Sequence, residues 1–207
     1  NLKLNDTLIE PQEHILLDKI ARASLLCNDA HIQNTNQVWD VVGDPMEGAL
    51  LAFSAKAGLD LEKENLAWKR TDVIPFDADH RYMATLNHNH DGASFVYVKG
   101  APERILDMSS DQVCSDGSVQ ALDRQYWQKI AEKIANQGQR VLAFGLVDVD
   151  DHVSIIARKD IDTRVQLLGM VGLIDPPREE AIQAIKECYS AGINVKMITG
   201  DHAGTAL

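Results

Sequence analysis

Lys99-Gly100-Ala101-Pro102-Glu103 places a lysine at the end of an apolar run, Ser94 to Val98, followed by a glycine that admits close approach and a proline that starts a helix. A lysine so placed lays its stem on apolar surface and aims its ammonium at whatever fills the adjoining cleft. Ile74-Pro75-Phe76-Asp77 ends another strand with an aromatic after a proline, and Phe76 reads either as core or as a stacking platform for a base. Taken one at a time, Lys99 is as readily a solvated edge lysine, Glu47 a helix-capping carboxylate, and Arg81 and Arg140 exposed cations. Asp148-Val149-Asp150, after the strand Ala143 to Val147, offers two carboxylates or an acidic surface turn.

The two commonest phosphate loops are absent. Gly43 and Gly48 have the outer spacing of a G-x-x-x-x-G-K-[ST] loop, but Ala49 and Leu50 follow, and no G-x-G-x-x-G occurs. A net charge of -11 excludes a nucleic-acid surface, because phosphate backbones are held by excess Lys and Arg. Any polyanion bound here is small and met by a local cluster of cations. Cys27, Cys114 and Cys188 are far apart and lack metal-ligand spacing, which reads as reduced thiols of a cytosolic protein. The longest charge-free stretch near the end, Val165 to Ile174, is about half of what a membrane helix requires. The chain starts at Asn1 without a signal peptide and stops in what reads as unfinished structure, so it is expected to be a piece of a longer protein.

The elements that must position these residues follow from periodicity and punctuation. A helix is expected from Pro11 to Asn28, with Ile15, Leu16, Ile20, Ala23, Leu26 and Cys27 on one face. A second starts at Asp44-Pro45-Met46-Glu47, as N-cap, first-turn proline and capping-box glutamate, and ends at Gly58. Strands are expected over 69–75, 81–86 and 93–99, the last two joined by Asp91-Gly92, which is the grammar of an antiparallel sheet. A short helix after Pro102 and a longer one from Asp123 to Asn136, with Tyr126, Trp127, Ile130 and Ile134 inward and Gly138 as cap, lead to a strand over 140–147. The tail changes character: strand 167–174, amphipathic helix 179–191 closed by Gly192, and strand 194–198 form a βαβ unit. The boundary near Asp175-Pro176-Pro177-Arg178 divides an α+β domain, residues 1–174, from a hinge and α/β fragment, residues 175–207.

The order and wording of six segments go further than any one of them. Gly43-Asp44-Pro45-Met46-Glu47-Gly48-Ala49-Leu50, Ile74-Pro75-Phe76, Lys99-Gly100-Ala101-Pro102-Glu103, Gly138-Gln139-Arg140-Val141-Leu142-Ala143, Asp175-Pro176-Pro177-Arg178 and Thr199-Gly200-Asp201 together resemble the cytoplasmic loop of P-type cation-transporting ATPases. The wording is most similar to the branch that contains calcium pumps and sodium/potassium pumps.

That resemblance implies a nucleotide-binding domain, a twisted antiparallel sheet flanked by helices, inserted into a Rossmann-like, HAD-like phosphorylation domain. It implies that Phe76 stacks on adenine, Lys99 and Gly100 line the bottom of the pocket, Glu47 meets the adenine edge, and Arg140 and Arg81 approach the phosphates. Asp175 and Arg178 would belong to the hinge, and Thr199, Gly200 and Asp201 would sit by the transferred phosphoryl group. The implied ligand is ATP, with Mg2+ in the full-length protein. The implied partners are the phosphorylation, actuator and membrane domains of a parent on the cytoplasmic face of a membrane, this piece being monomeric.

The aspartate that such pumps phosphorylate lies in a D-K-T-G-T motif, which this chain lacks, as it lacks T-G-D-G-V-N-D. Catalytic residues are therefore expected outside it, with binding as its task. Met46 stands for the usual Thr, Ala78 for a frequent Arg, and His80-Arg81 for a more basic pair, departures that bear on the phosphate side of the pocket. Two rival readings remain at this point: a free-standing haloacid-dehalogenase-type phosphohydrolase using Asp148 and Asp150, and a nucleotide-free interaction module.

Overall fold

The computed structural model describes residues 2–4, 7–35, 38–175 and 178–196. β1 (Leu2–Leu4) and β2 (Thr7–Ile9) make a hairpin, a single 3-10 turn covers Pro11–Glu13, and α1 (Ile15–Leu26) follows. The helix expected from Pro11 is thus broken at His14, whose extended backbone separates turn from helix. A second hairpin, β3 (His31–Thr35) with β4 (Val38–Val42), leads into α2 (Pro45–Lys56), which Asp44 caps by accepting from the Met46 amide at 2.8 Å and the Glu47 amide at 3.3 Å. α3 (Leu61–Ala67), capped by Asp60, was not foreseen: Leu-Glu-Lys-Glu-Asn-Leu-Ala has no buried residue and too few turns to show a period.

β5 (Lys69–Ile74), β6 (Tyr82–His88) and β7 (Ser94–Gly100) lie close to their expected places, as does α4 (Pro102–Met108). The hairpin of β8 (Ser109–Val113) and β9 (Val119–Ala121) carries Ser110, Asp111 and Gln120 where an apolar alternation would have announced it. Then come α5 (Arg124–Ala135), β10 (Arg140–Asp148), α6 (Arg158–Ile161), β11 (Val165–Leu173) and α7 (Glu179–Ser190). Within α5, Tyr126 is 51% exposed and not inward as expected. Its ring meets Trp127 edge-on at 5.4 Å, and Trp127 takes the inward place, its indole N–H donating to Gln112 Oε1 at 2.9 Å.

Seven strands form one sheet in the order β5-β6-β7-β10-β11-β8-β9. The pairings are antiparallel except β11 with β8, so the antiparallel sheet expected from the sequence carries one parallel step. The parallel step arises because the chain returns through β10 and α6 before laying β11 beside β8. Alternation along the strands divides the core into two layers. Ala84, Leu86, Val96, Val98 and Ala143 pack against α4 and α6, while Met83, Tyr97 and Phe144 pack against α1 and α2.

The tail is less enclosed. β11 runs inside the seven-stranded sheet and α7 follows it with no buried residue. Of the strand expected over 194–198, Asn194 to Lys196 carry no strand, and residues 197–198 lie outside the described residues.

Candidate nucleotide site

Antiparallel pairing brings alternate strand ends together. Ile74 of β5 pairs with Ala84, Tyr82 of β6 with Gly100, Gly100 of β7 with Ala143, and Arg140 of β10 with Leu173 of β11. Five adjacent strands therefore deliver Phe76, Arg81, Lys99 with Gly100, Arg140 and Asp175 to one end of the sheet. Residues spread over a hundred positions of sequence become neighbours in a row of strand ends.

Lys99 is the most enclosed of them. It stands on the α1/α2 side of the sheet, opposite Phe144 and Met83, where its side chain is 7% exposed. Its ammonium donates to Glu47 Oε1 at 2.6 Å, and Glu47 is itself only 17% exposed. Glu47 Oε2 accepts from the amides of Asp29 and Ala30, both at 3.1 Å. The capping-box role expected for Glu47 gives way here, because a buried ammonium and two amides outcompete a solvated N-cap amide as partners for a carboxylate. Asn28 reinforces the junction, donating to the Glu47 and Ser24 carbonyls, each at 3.0 Å, and Arg70 ties on Asp29 at 2.6 Å. Gly48 lets α2 sit this close to β4, since a Cβ there would lie 2.4 Å from a Val41 methyl.

Gly100 has a comparable constraint. A Cβ would lie 2.5 Å from the Arg81 carbonyl oxygen and 2.8 Å from Tyr82 Cα, both backbone. That carbonyl accepts from the Ala101 amide at 3.0 Å, which locks the end of β7 to the start of β6. Arg81 is the one described non-glycine residue at positive φ, 57°, and its guanidinium pairs with Glu103 at 2.5 Å. Both partners are about half exposed, 51% and 56%, so this pair is solvent-screened and labile where the Lys99–Glu47 pair is not.

Phe76 is 62% exposed, which removes the core reading left open by the sequence. The turn that presents it is closed by Asp77. Its carbonyl accepts from the Arg81 amide at 2.8 Å, and its carboxylate accepts from the His80 amide and contacts His80 Nδ1, each at 2.8 Å. Those bonds, from the His80 amide and ring first, together with the charge of Arg158, hold the Asp77 carboxyl down at about 2.

Arg140, Asp175 and Arg178 are exposed, and Arg178 precedes α7 as its cap residue. Thr199, Gly200 and Asp201 lie outside the described residues. A shallow groove of about 650 Å³ runs from Glu103 and Leu106 of α4 past Gln128 and Glu132 of α5 to Arg140. A smaller cavity of about 220 Å³ lies among Leu25, Asn28, Ala30, His31, Leu51 and Leu61. Neither is bounded by Lys99 or Phe76, whose side chains are respectively paired with Glu47 and exposed.

Elsewhere the chemistry is quiet. Burial pushes the Cys27 thiol up to about 11, against the pull of Lys99 nearby, so it is no nucleophile at neutral pH. Among the described residues no group of three or more His, Cys, Asp and Glu side chains is placed to hold a metal ion. Asp148 and Asp150 stand at the other end of β10, both exposed, with Asp148 Oδ2 accepting from Gln166 at 3.1 Å. The sequence assigned no role to Asp77 or Glu103, although each ends one of the motifs, Ile74-Pro75-Phe76-Asp77 and Lys99-Gly100-Ala101-Pro102-Glu103. The signal for Asp77 was available, since an Asp at a strand-to-strand turn readily turns its carboxylate back onto a nearby backbone amide, here that of His80.

The fold and this row of strand ends define an α+β domain of the P-type ATPases. The family model for the P-type ATPase cytoplasmic domain N matches residues 16–180, and the chain belongs to that family. It is 45% identical over 191 residues to a cation-transporting ATPase of Synechocystis sp., covering 92% of this chain and 21% of that protein. It is 40% identical over 192 residues to the probable cation-transporting ATPase F of Mycobacterium tuberculosis, covering 89% and 20%. To the calcium-transporting ATPase of Bacillus subtilis it is 34% identical over 209 residues, covering 98% and 23%. The chain thus spans about a fifth of the length of these relatives. Among the described residues no helix is long and apolar enough to cross a membrane.

Proposed function

We propose that this chain is the ATP-binding domain of an ATP-driven cation pump and presents ATP to a phosphorylatable aspartate that lies outside it. The observation that carries the reading is the gathering of Phe76, Arg81, Lys99 and Arg140 at one end of five adjacent strands. Phe76 offers an exposed π-face to adenine. Glu47 has used three of the roughly four acceptor positions of a carboxylate, which leaves one for the exocyclic amine. Arg81 sits in a screened pair that phosphate oxygens can compete for, and Arg140 adds a second guanidinium. Lys99, held in place by Glu47, lines the floor, and Gly100 lets the ligand approach the backbone. Residues 1–174 form this domain, and 175–207, with Asp175, Arg178, Thr199, Gly200 and Asp201, are the hinge and the start of the phosphorylation domain.

The names of the relatives support cation transport by the parent, calcium among the candidates, on the cytoplasmic face of a membrane. Magnesium belongs to that parent's phosphorylation site. The piece itself is a monomer that binds ATP and turns none over. With stacking worth roughly 1 to 3 kcal/mol and no metal-holding cluster among the described residues, its dissociation constant falls in the high-micromolar to millimolar range.

Calorimetry of the purified chain tests this. ATP binding in that range, abolished by Lys99→Ala with Phe76→Ala in a protein whose circular dichroism is unchanged, is the expected result. Binding that survives the double substitution removes the pocket from this end of the sheet. Phosphatase activity lost on Asp148→Asn would instead restore the free-standing hydrolase.

A further inference from the structure

The turn that carries Phe76 and Arg81 hangs from β5, and β5 is the edge strand of the sheet, paired only with β6. An edge strand has half the ladder that fixes an interior one, so a turn at its end needs other fastening to hold a ring within stacking tolerance. The connection between β10 and β11 supplies it. The Ile156 amide donates to Asp72 Oδ2 of β5 at 2.8 Å, and two residues on, the Arg158 guanidinium pairs with Asp77 Oδ2, directly after Phe76. Ile156 and Ile161 are buried in the core on that side, which anchors the segment from which Arg158 reaches.

Arg158 is also seated against the next strand. Its guanidinium carbon lies 5.4 Å from the centroid of the Tyr82 ring, and that of Arg104 lies 5.3 Å from the same centroid. Tyr82 is fully buried at the start of β6, immediately after Arg81. Arg104 in turn pairs with Asp162 at 2.7 Å. Arg158 therefore touches both ends of the 75–81 turn, Asp77 at its entrance and Tyr82 at its exit. The charges around it are matched, Asp77 to Arg158 and Asp162 to Arg104, so the cluster has no surplus positive charge with which to bind an anion of its own.

From this geometry we infer that Arg158 is a positioning residue for the nucleotide: by clasping Asp77 and Tyr82 it sets the turn that presents Phe76 to the base and Arg81 to the phosphates. Arg158 touches no ligand itself. The inference rests on the nucleotide reading above and adds a residue from the face of the sheet opposite to Lys99.

The test is a double-mutant cycle between Arg158→Gln and Phe76→Ala in the whole chain, read by ATP binding. With Phe76 present, R158Q weakens ATP binding by about tenfold; in the Phe76→Ala background it weakens it by about threefold, because the ring it positions is gone and only Arg81 is left to place. Arg158→Lys, which keeps the charge, recovers part of the loss. Equal losses in both backgrounds, or no loss in either, overturn the inference. Amide hydrogen exchange at His80 and Arg81 reads the clasp with no nucleotide present. Faster exchange at those two amides in R158Q, with the exchange of Val96 and Val98 unchanged, supports it, and unchanged exchange at His80 and Arg81 overturns it. A wild-type chain that binds no ATP defeats the functional reading and the positioning role with it, whereas a wild-type chain that binds ATP beside a silent cycle defeats the positioning role alone.

Discussion

The two ends of the central sheet are made from the same five strands and obey different rules. One end gathers Phe76, Arg81, Lys99 and Arg140, with an enclosed ion pair and two glycines that cannot grow, Gly100 against backbone and Gly48 against the Val41 side chain. The other carries the Asn89–Gly92 turn between β6 and β7, and the exposed Asp148, Asp150 and Asp151 after β10. In a chain with a net charge of -11, two of these cations are themselves held by carboxylates, Lys99 by Glu47 and Arg81 by Glu103. Backbone geometry is tight where the cations are and ordinary where they are not.

The largest effect that sharpens this contrast is expected from Glu47→Ala. It leaves the Lys99 ammonium enclosed without a partner and should cost about 3 kcal/mol of stability, read by denaturant unfolding. A cost near zero would mean that the pair is as screened as Arg81 with Glu103. Gly100→Ala comes next, at about 2 kcal/mol, because its methyl meets the Arg81 carbonyl and Tyr82 Cα and neither is a side chain that can swing aside.

Phe76→Ala separates function from folding: stability stays within about 0.5 kcal/mol for so exposed a ring, while ATP binding falls by about tenfold. A loss of stability there with ATP binding intact would return Phe76 to the core. Smallest of all is Asp148→Asn at the far end, with under about 0.5 kcal/mol of stability and no change in nucleotide binding.

What could be read from residues alone followed the strength of each local signal. α2 was legible because Asp44, Pro45 and Gly58 punctuate it, and β6 and β7 because apolar runs flank Asp91-Gly92. The hairpin of β8 with β9 and the helix α3 were not legible, since each is short and largely polar and is fixed by tertiary neighbours more than by its own pattern, whereas β4, Val38–Val42, is apolar but its partner His31–Thr35 is not. The site divided in the same way. Lys99 announced itself as a cation ending an apolar strand, but its bond to Glu47 joins residues 52 apart and has no local trace. Glu47 carried a correct local signal, the capping box, that a tertiary partner overrode. Arg158 was invisible, because its link to Asp77 spans 81 residues and depends on the β10–β11 connection lying against an edge strand.

Titration of the isotopically labelled chain with ATP, followed by amide chemical shifts, reports which end of the sheet takes the nucleotide. Phe76, Arg81, Gly100 and Arg140 are expected to move together with one saturating curve, while His88, Phe95 and Asp148, at the opposite ends of the same strands, stay in place. Shifts centred on His88, Phe95 and Asp148, or no shifts at millimolar ATP, would contradict the proposed site.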